Sequence, residues 1–127
     1  MSENQPRGHL TLRTLAMPAD ANPGGDIFGG WVLSQMDMAV GIEAGTRAEG
    51  RVATIAIDAM KFLRPVKVGD VLCVYVDLER IGTTSLAYSV EAWVLRSRHG
   101  DREKVTEAVF TFVAIDENGK KRPVPPE

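Results

Sequence analysis

The sequence has little that would mark a secreted, membrane-spanning or nucleic-acid-binding protein. It contains one cysteine, Cys73, which excludes an intrachain disulfide and fits a reducing compartment. The formal net charge of −2 offers no broad basic field for nucleic acid. No apolar run approaches the roughly 20 residues that a bilayer-spanning helix needs, and residues 1–7 contain no apolar signal core. We therefore expect a soluble cytoplasmic protein with no nucleic-acid or membrane partner.

The length of 127 residues fits one domain with a core of its own. Residues 1–8 are polar and are predicted to form a flexible leader. Residues 9–120 are expected to form the single domain. The charged, proline-rich residues 121–127 are predicted to be a loose C-terminal tail.

A glycine-rich turn at residues 22–30 precedes the most apolar helical segment of the chain. Glycines let a backbone approach a ligand closely, and the start of a helix offers unpaired amides and the positive end of its dipole. The helix is predicted to run from about Phe28 or Gly30 to about Arg47. Because it has almost no polar side, we expect it to be buried.

Alternation of apolar and polar residues predicts strands on both sides of this helix. One strand is expected at residues 9–15, and four more at 52–59, 71–79, 85–95 and 105–115. The hairpin-length breaks after the helix indicate antiparallel neighbours. Together these elements predict an α+β fold, in which a curved antiparallel sheet of about five to six strands wraps around one long central helix.

Apolar residues on both faces of the predicted strands indicate a second layer beyond the helix. The strand at 71–79 presents Leu72 and Val74 on one face, and Cys73 and Tyr75 on the other. A single helix covers only one face of a sheet. The chain is too short to supply another layer, so we predict a homo-oligomer.

One acid, Asp37, interrupts the apolar helix. At about 100° per residue it lies on a strip of small residues, which are Gly30, Ser34, Gly41, Gly45 and Ala48. One interpretation is structural: the strip allows close packing, and Asp37 caps a backbone group. The other is functional, because a buried carboxylate is costly unless well paired and can act as general base or nucleophile. With amides of the glycine turn for an oxyanion, the second interpretation indicates acyl transfer or hydrolysis.

Other candidates carry weaker signals. His9 and His99 have no partner at catalytic or metal-ligand spacing, so no metal site is expected. Residues 82–85 are typical of a hairpin tip. Arg64, which precedes a proline, fits a solvated charge and a phosphate partner equally well.

Five segments, in order along the chain, resemble the hotdog-fold acyl-CoA thioesterases, most closely the bacterial YciA type. They are residues 12–18, 22–31, 34–37, 62–70 and 82–85, and the likeness extends from about residue 9 to residue 125. The resemblance implies a hotdog fold with a homodimer as the functional unit. It also implies further assembly into a homohexamer, a trimer of dimers.

The resemblance implies hydrolysis of acyl-CoA to a carboxylic acid and coenzyme A, over a broad range of short to long acyl chains. No cofactor is implied beyond the coenzyme A moiety of the substrate. Asp37 matches the catalytic acid, as general base or nucleophile, with Asn22 from the opposite subunit. The amides of Gly29 and Gly30 are expected at the thioester oxygen, beside the Asp37 of their own chain. Contacts to the substrate or coenzyme A are implied for Phe28, Thr54, Arg64, Gly82, Thr83, Thr84 and Ser85.

Two other functions remain open at this stage. A non-catalytic acyl-CoA-binding protein on the same scaffold would bind coenzyme A without releasing thiol. A related hotdog dehydratase would need a histidine near the helix start. No histidine occurs between His9 and His99, which argues against the dehydratase.

Overall fold

The computed structural model describes residues 5–96 and 101–127, and these residues form one long helix and five strands. The elements are β1 (His9–Leu15), a short 3-10 helix (Pro18–Asp20), α1 (Gly29–Ala48), β2 (Val52–Phe62), β3 (Val71–Ile81), β4 (Ser85–Leu95) and β5 (Arg102–Ala114). The helix and the strands were all predicted, with bounds that differ by three residues or fewer. His99 and residues 1–4 of the predicted leader lie outside the described residues.

The five strands form one antiparallel sheet in the order β1-β3-β4-β5-β2. β3, β4 and β5 are neighbours in chain order, as predicted. The break at residues 65–70 had also predicted β2 and β3 as antiparallel neighbours, which is wrong, because β2 lies beside β5 at one edge of the sheet. β1 lies beside β3 at the other edge. This order confirms the predicted arrangement of an antiparallel sheet with one helix packed on it.

The core lies between α1 and one face of the sheet. Met36 and Val40 of the helix and Phe110 of β5 are fully buried. Close approach is possible at Gly41, where an added Cβ would lie 3.7 Å from the Phe112 ring.

The sequence predicted that the helix is buried on all sides, but one side of α1 is exposed. Met38 is 48% exposed and Ile42 is 58% exposed. On the neighbouring edge strand β2, Ile55 and Ile57 are also exposed. Both α1 and β2 therefore leave large apolar side chains uncovered in the single chain.

The face of the sheet that is turned away from α1 is more polar than predicted. Cys73 lies opposite Trp93, but the next pair on that face is Tyr75 with Glu91. The carboxylate of Glu91 is buried and accepts a hydrogen bond from Trp93 Nε1 at 2.9 Å. The apolar partner surface that the sequence placed on this face is thus interrupted by a buried charge, whereas α1 and β2 carry exposed apolar side chains.

The C-terminal residues cross the end of α1 and bond to the sheet. The amide of Arg122 donates to the Ala114 carbonyl at 2.9 Å, and that of Val124 donates to the Thr83 carbonyl at 2.8 Å. Arg122 also packs on Gly50, where an added Cβ would lie 2.6 Å from its Nη2 atom. These contacts place the tail against the β3–β4 hairpin. Within the described ranges, no helix is long and apolar enough to cross a bilayer.

Candidate active site

The structure joins Asp37 to a side chain of the neighbouring strand. Thr54 Oγ1 donates a 2.7 Å hydrogen bond to Asp37 Oδ1. Asp37 is half-buried on α1, and Thr54 is exposed near the start of β2, opposite Phe112 of β5. The structural interpretation predicted that Asp37 caps a backbone group. Among the described residues, its carboxylate accepts from a side-chain hydroxyl instead.

The strip of small residues serves two purposes along the helix. Gly41 packs towards Phe112, and Gly45 lies close to the carbonyl of Gly50, so both allow close packing. Gly30, by contrast, has nothing within 4 Å of an added Cβ. The strip therefore faces open space at the start of α1. Towards the C-terminal end of the helix, it faces other parts of the protein.

The first turn of α1 presents two uncommitted amides. The carbonyl of Phe28 accepts from Trp31 at 3.1 Å and from Val32 at 3.4 Å. Among the described residues, the amides of Gly29 and Gly30 have no acceptor. Such amides, together with the helix dipole, favour a negatively charged group.

Asn22 organises its own turn. Its Oδ1 accepts from the amides of Gly24 at 2.9 Å and Asp26 at 3.2 Å. Gly25, with φ at +91°, completes the turn in a conformation that favours glycine. The side-chain NH2 of Asn22 makes no hydrogen bond within the part of the chain that the structure describes, so it is free to donate elsewhere.

A cavity of about 320 Å³ opens beside the helix start. It is lined by Ile27, Gly29, Val32, Phe62, Leu63, Arg64, Pro65 and Val66. Gly29 contacts the Phe62 ring so closely that an added Cβ would lie 3.2 Å from Cζ. Arg64 Nη1 donates to the carbonyl of Lys104 at 2.8 Å, which fixes the guanidinium at the cavity edge. The structure thus brings together Gly29 and Arg64, which the sequence treated separately.

The hairpin at residues 82–85 is a turn, as predicted. The amide of Gly82 donates to the Ser85 carbonyl at 2.8 Å, and the carbonyl of Thr84 accepts from Ala114 at 2.9 Å. Ser85 lies opposite Val113, which lies opposite Ala53 at the start of β2.

Arg64 and this hairpin lie at opposite ends of the sheet. Arg64 follows the far end of β2 at Phe62, nine positions beyond Ala53, and a strand of that length spans roughly 30 Å. The two groups that the resemblance assigns to coenzyme A are therefore not brought together within one chain.

Phe62 is one of several lining residues that were not predicted as site residues. Its ring forms the wall against Gly29. An exposed aromatic residue at the end of a strand gives no local signal of that role. Among the described residues, no three His, Cys, Asp or Glu side chains are grouped so that they could hold a metal ion.

Comparison with known proteins points to one family. A model of the thioesterase superfamily matches residues 24–99. The acyl-CoA thioester hydrolase YciA of Salmonella typhimurium is 52% identical over 126 residues, which cover 97% of this chain and 95% of that protein.

Solved structures agree with this family. A hexameric thioesterase from Yersinia pestis is 51% identical with a TM-score of 0.92, and the match covers 97% of this chain and 100% of that one. A hexameric hotdog fold thioesterase of Campylobacter jejuni is 40% identical with a TM-score of 0.86, covering 93% and 91%. The predicted hotdog fold is thereby confirmed.

A more distant structure bears on the Asp37–Thr54 pair. Two structures of the acyl-CoA hydrolase of Staphylococcus aureus carry an alanine in place of an aspartate and of a threonine, respectively. Each is 28% identical to this chain, and their TM-scores are 0.82 and 0.81. Each match covers 90% of this chain and 70% of that one. The two mutated positions are 17 residues apart, which is also the separation of Asp37 and Thr54.

Proposed function

This chain belongs to the thioesterase superfamily, and we propose that it hydrolyses acyl-CoA thioesters to a free carboxylic acid and coenzyme A. The observation that carries the proposal is the 2.7 Å hydrogen bond between Thr54 and Asp37, on a helix that leaves open space at its start. The same residue types at the same separation were mutated in the S. aureus acyl-CoA hydrolase.

Asp37 is the proposed reacting carboxylate. The Thr54 hydroxyl holds Oδ1, which leaves Oδ2 to face the substrate. As a general base, Asp37 takes a proton from water while the water oxygen attacks the thioester carbonyl. The carbon–sulfur bond then breaks, and the thiolate takes up the proton to leave as coenzyme A. As a nucleophile, Asp37 itself forms an anhydride as the carbon–sulfur bond breaks and the thiolate leaves. Water then hydrolyses the anhydride to the free acid and the Asp37 carboxylate, and the proton released goes to the thiolate.

The proposed oxyanion donors come from a second copy of the chain. Gly30 and Asp37 are seven residues apart on one helix, which places them about 10 Å apart along its axis. A thioester carbonyl is too small to touch both. This separation replaces the expectation that Gly29 and Gly30 serve the Asp37 of their own chain. We assign their amides, and the side-chain NH2 of Asn22, to the Asp37 of the other subunit.

The free edge of β2 provides the contact that this assignment needs. If two copies pair β2 with β2 in antiparallel fashion about its middle, near Ile57, the Phe62 end of one strand lies beside Thr54 of the other. Phe62 contacts Gly29, so the helix start of one copy comes close to Asp37 of the other. The exposed apolar side chains of α1 and β2 become covered.

The same pairing explains the two separated groups proposed to contact coenzyme A. The hairpin of one copy, with Thr83, Thr84 and Ser85, approaches Arg64 of the other. Phe28, exposed beside the cavity, completes the proposed substrate contacts.

The dimer is the proposed catalytic unit. The hexameric Y. pestis and C. jejuni proteins support a trimer of such dimers. A cytoplasmic location and independence from any added cofactor are further parts of the proposal. The single buried free cysteine supports that location.

Thiol release from a panel of acyl-CoAs of graded chain length tests the proposal. We expect the parent protein to release thiol and Asp37→Ala to lose about a hundredfold or more of kcat while its oligomer persists. Glu117→Gln, which changes an exposed acid in the 116–119 turn, serves as the matched control and should behave as the parent does. Coenzyme A binding without thiol release would instead support the non-catalytic alternative.

A further inference from the structure

Asp70 is a buried carboxylate outside the Asp37 site. It is 5% exposed, and its Oδ2 accepts from the amide of Lys67 at 2.8 Å and from Arg96 Nε at 3.1 Å. A buried charge of this kind needs several good partners to be tolerated. Asp70 therefore closes the loop that follows β2 by tying Lys67 to the end of β4.

Arg96, just after β4, uses all three nitrogens of its guanidinium, two of them on this loop and one on β5. Nε donates to Asp70, Nη2 donates to the carbonyl of Pro65, and Nη1 pairs with Glu103. Pro65 is itself a wall of the 320 Å³ cavity, next to Arg64. The Arg96 side chain thus fixes the backbone at Pro65, next to Arg64, whose guanidinium lies at the cavity edge.

The opposite side of the loop is bonded to the glycine-rich turn. The carbonyl of Val66 accepts from the amide of Ile27 at 2.9 Å, and Lys67 Nζ pairs with Asp26 Oδ1 at 2.5 Å. Ile27 lies just before the helix start and lines the cavity too. The chain of contacts runs from Arg96 through the loop to the turn that carries the Gly29 amide.

We propose that Arg96 is a positioning residue for the coenzyme A end of the substrate, acting through Pro65 and Arg64. The proposal rests on the proposed acyl-CoA hydrolysis. A cation at the cavity edge suits the phosphates of coenzyme A, provided that its backbone is held in place. Arg96 does not touch the reacting carbonyl, so its loss should weaken substrate binding more than the chemical step.

The planar fork of arginine is what the contacts require. A lysine at this position keeps the positive charge beside Asp70, but a single ammonium cannot reach Asp70, Pro65 and Glu103 in their present directions. Arg96→Lys therefore removes the directed contacts that position the loop while it keeps the positive charge. Arg102→Lys is the matched control, because Arg102 lies on the neighbouring strand and its Nη1 contacts Tyr75 Oη at 3.3 Å, away from the loop.

The test compares one acyl group on two carriers, coenzyme A and N-acetylcysteamine, which lacks the nucleotide. For Arg96→Lys we expect KM for the acyl-CoA to rise about tenfold, with kcat within about twofold of the parent. The kcat/KM for the N-acetylcysteamine thioester should stay within about twofold. Calorimetry should show coenzyme A binding weakened by a similar factor, and Asp70→Asn should repeat the pattern.

Three results would overturn the proposal. Arg96→Lys could match the parent and Arg102→Lys in every measurement. It could lose activity equally on both carriers, which would indicate a general structural role. A parent protein that neither releases thiol nor binds coenzyme A would contradict the proposed function as well, whereas the first two results contradict only the role of Arg96.

Discussion

The hydroxyl of Thr54 donates a hydrogen bond of 2.7 Å to Oδ1 of Asp37. This bond joins the helix to the edge strand of the sheet, at the border of the exposed apolar region of α1 and β2. It orients one carboxylate oxygen, and the other accepts no hydrogen bond from the residues that the structure describes.

Thr54→Val should reduce kcat while the fold is kept. Valine has nearly the same shape as threonine but cannot donate to Asp37, and a hydrogen bond to a charged group contributes about 2 kcal/mol, or roughly thirtyfold in rate. Thr54→Ser, which keeps the hydroxyl, should retain most activity. Steady-state thiol release measures both variants. Equal activity of the valine and serine variants would exclude a role for the hydroxyl.

Asn22 allows its local role to be separated from its proposed role at the other subunit. Asn22→Asp keeps an oxygen for the amides of Gly24 and Asp26 but lacks the NH2 donor. We expect its melting temperature to stay near that of the parent while kcat falls at least about tenfold. Asn22→Ala should lose both the turn and activity. Full activity in the aspartate variant would mean that Asn22 serves its turn alone.

The exposed apolar region should carry the dimer contact. Ile55→Lys places a charge on β2 among apolar neighbours, so light scattering should report smaller assemblies, and thiol release should fall with them. Leu15→Lys, on the opposite edge of the sheet, is the matched control and should leave the assembly size unchanged. An intact assembly in Ile55→Lys would argue against pairing through β2.

Ionisation of Tyr88 should lower the stability of the protein at alkaline pH. Burial raises the pKa of Tyr88 from 10.0 to about 12, and the charge of Glu43 acts in the same direction. Between pH 10 and about 12 the folded state therefore holds a proton that the unfolded state has lost, and the free energy of unfolding falls as pH rises. Below pH 10 the group adds no pH dependence.

Tyr88→Phe should remove this alkaline loss of stability. Denaturant unfolding across the same pH window measures it, and tyrosinate absorbance should lose its late titration step in the variant. A late step that persists without Tyr88 would contradict the assignment.

Much of the fold was predictable because its signals are local. The period-two alternation of β3 and β4 and the unbroken apolar helix after the glycine turn give the elements and their type. Loop lengths give antiparallel neighbours for β3, β4 and β5. The same argument placed β2 beside β3, which is wrong, because β2 crosses to the far edge and pairs with β5.

Burial and partners were harder to predict, because they depend on which element covers which. The tail at 121–127 gave no sign of the bonds that Arg122 and Val124 make to the sheet. The far face of the sheet was expected to be apolar from Cys73 and Tyr75, yet Glu91 is buried there with Trp93 and Arg7 as donors. The bonds from Val124 to Thr83 and from Arg7 to Glu91 join residues far apart in the chain, whereas Trp93 lies only two positions from Glu91.

By itself, the sequence determined the helix, the strands and the place of one acid on a strip of small residues, since these depend on residues a few positions apart. Only the tertiary structure decided that Thr54 meets Asp37, that Arg96 holds Pro65 from 31 positions away, and that Arg64 and the 82–85 hairpin stand at opposite ends of the sheet. The physical reason is the strand order. Placing β2 beside β5 brings its Thr54 end to the middle of α1 and leaves its outer edge free for a second chain.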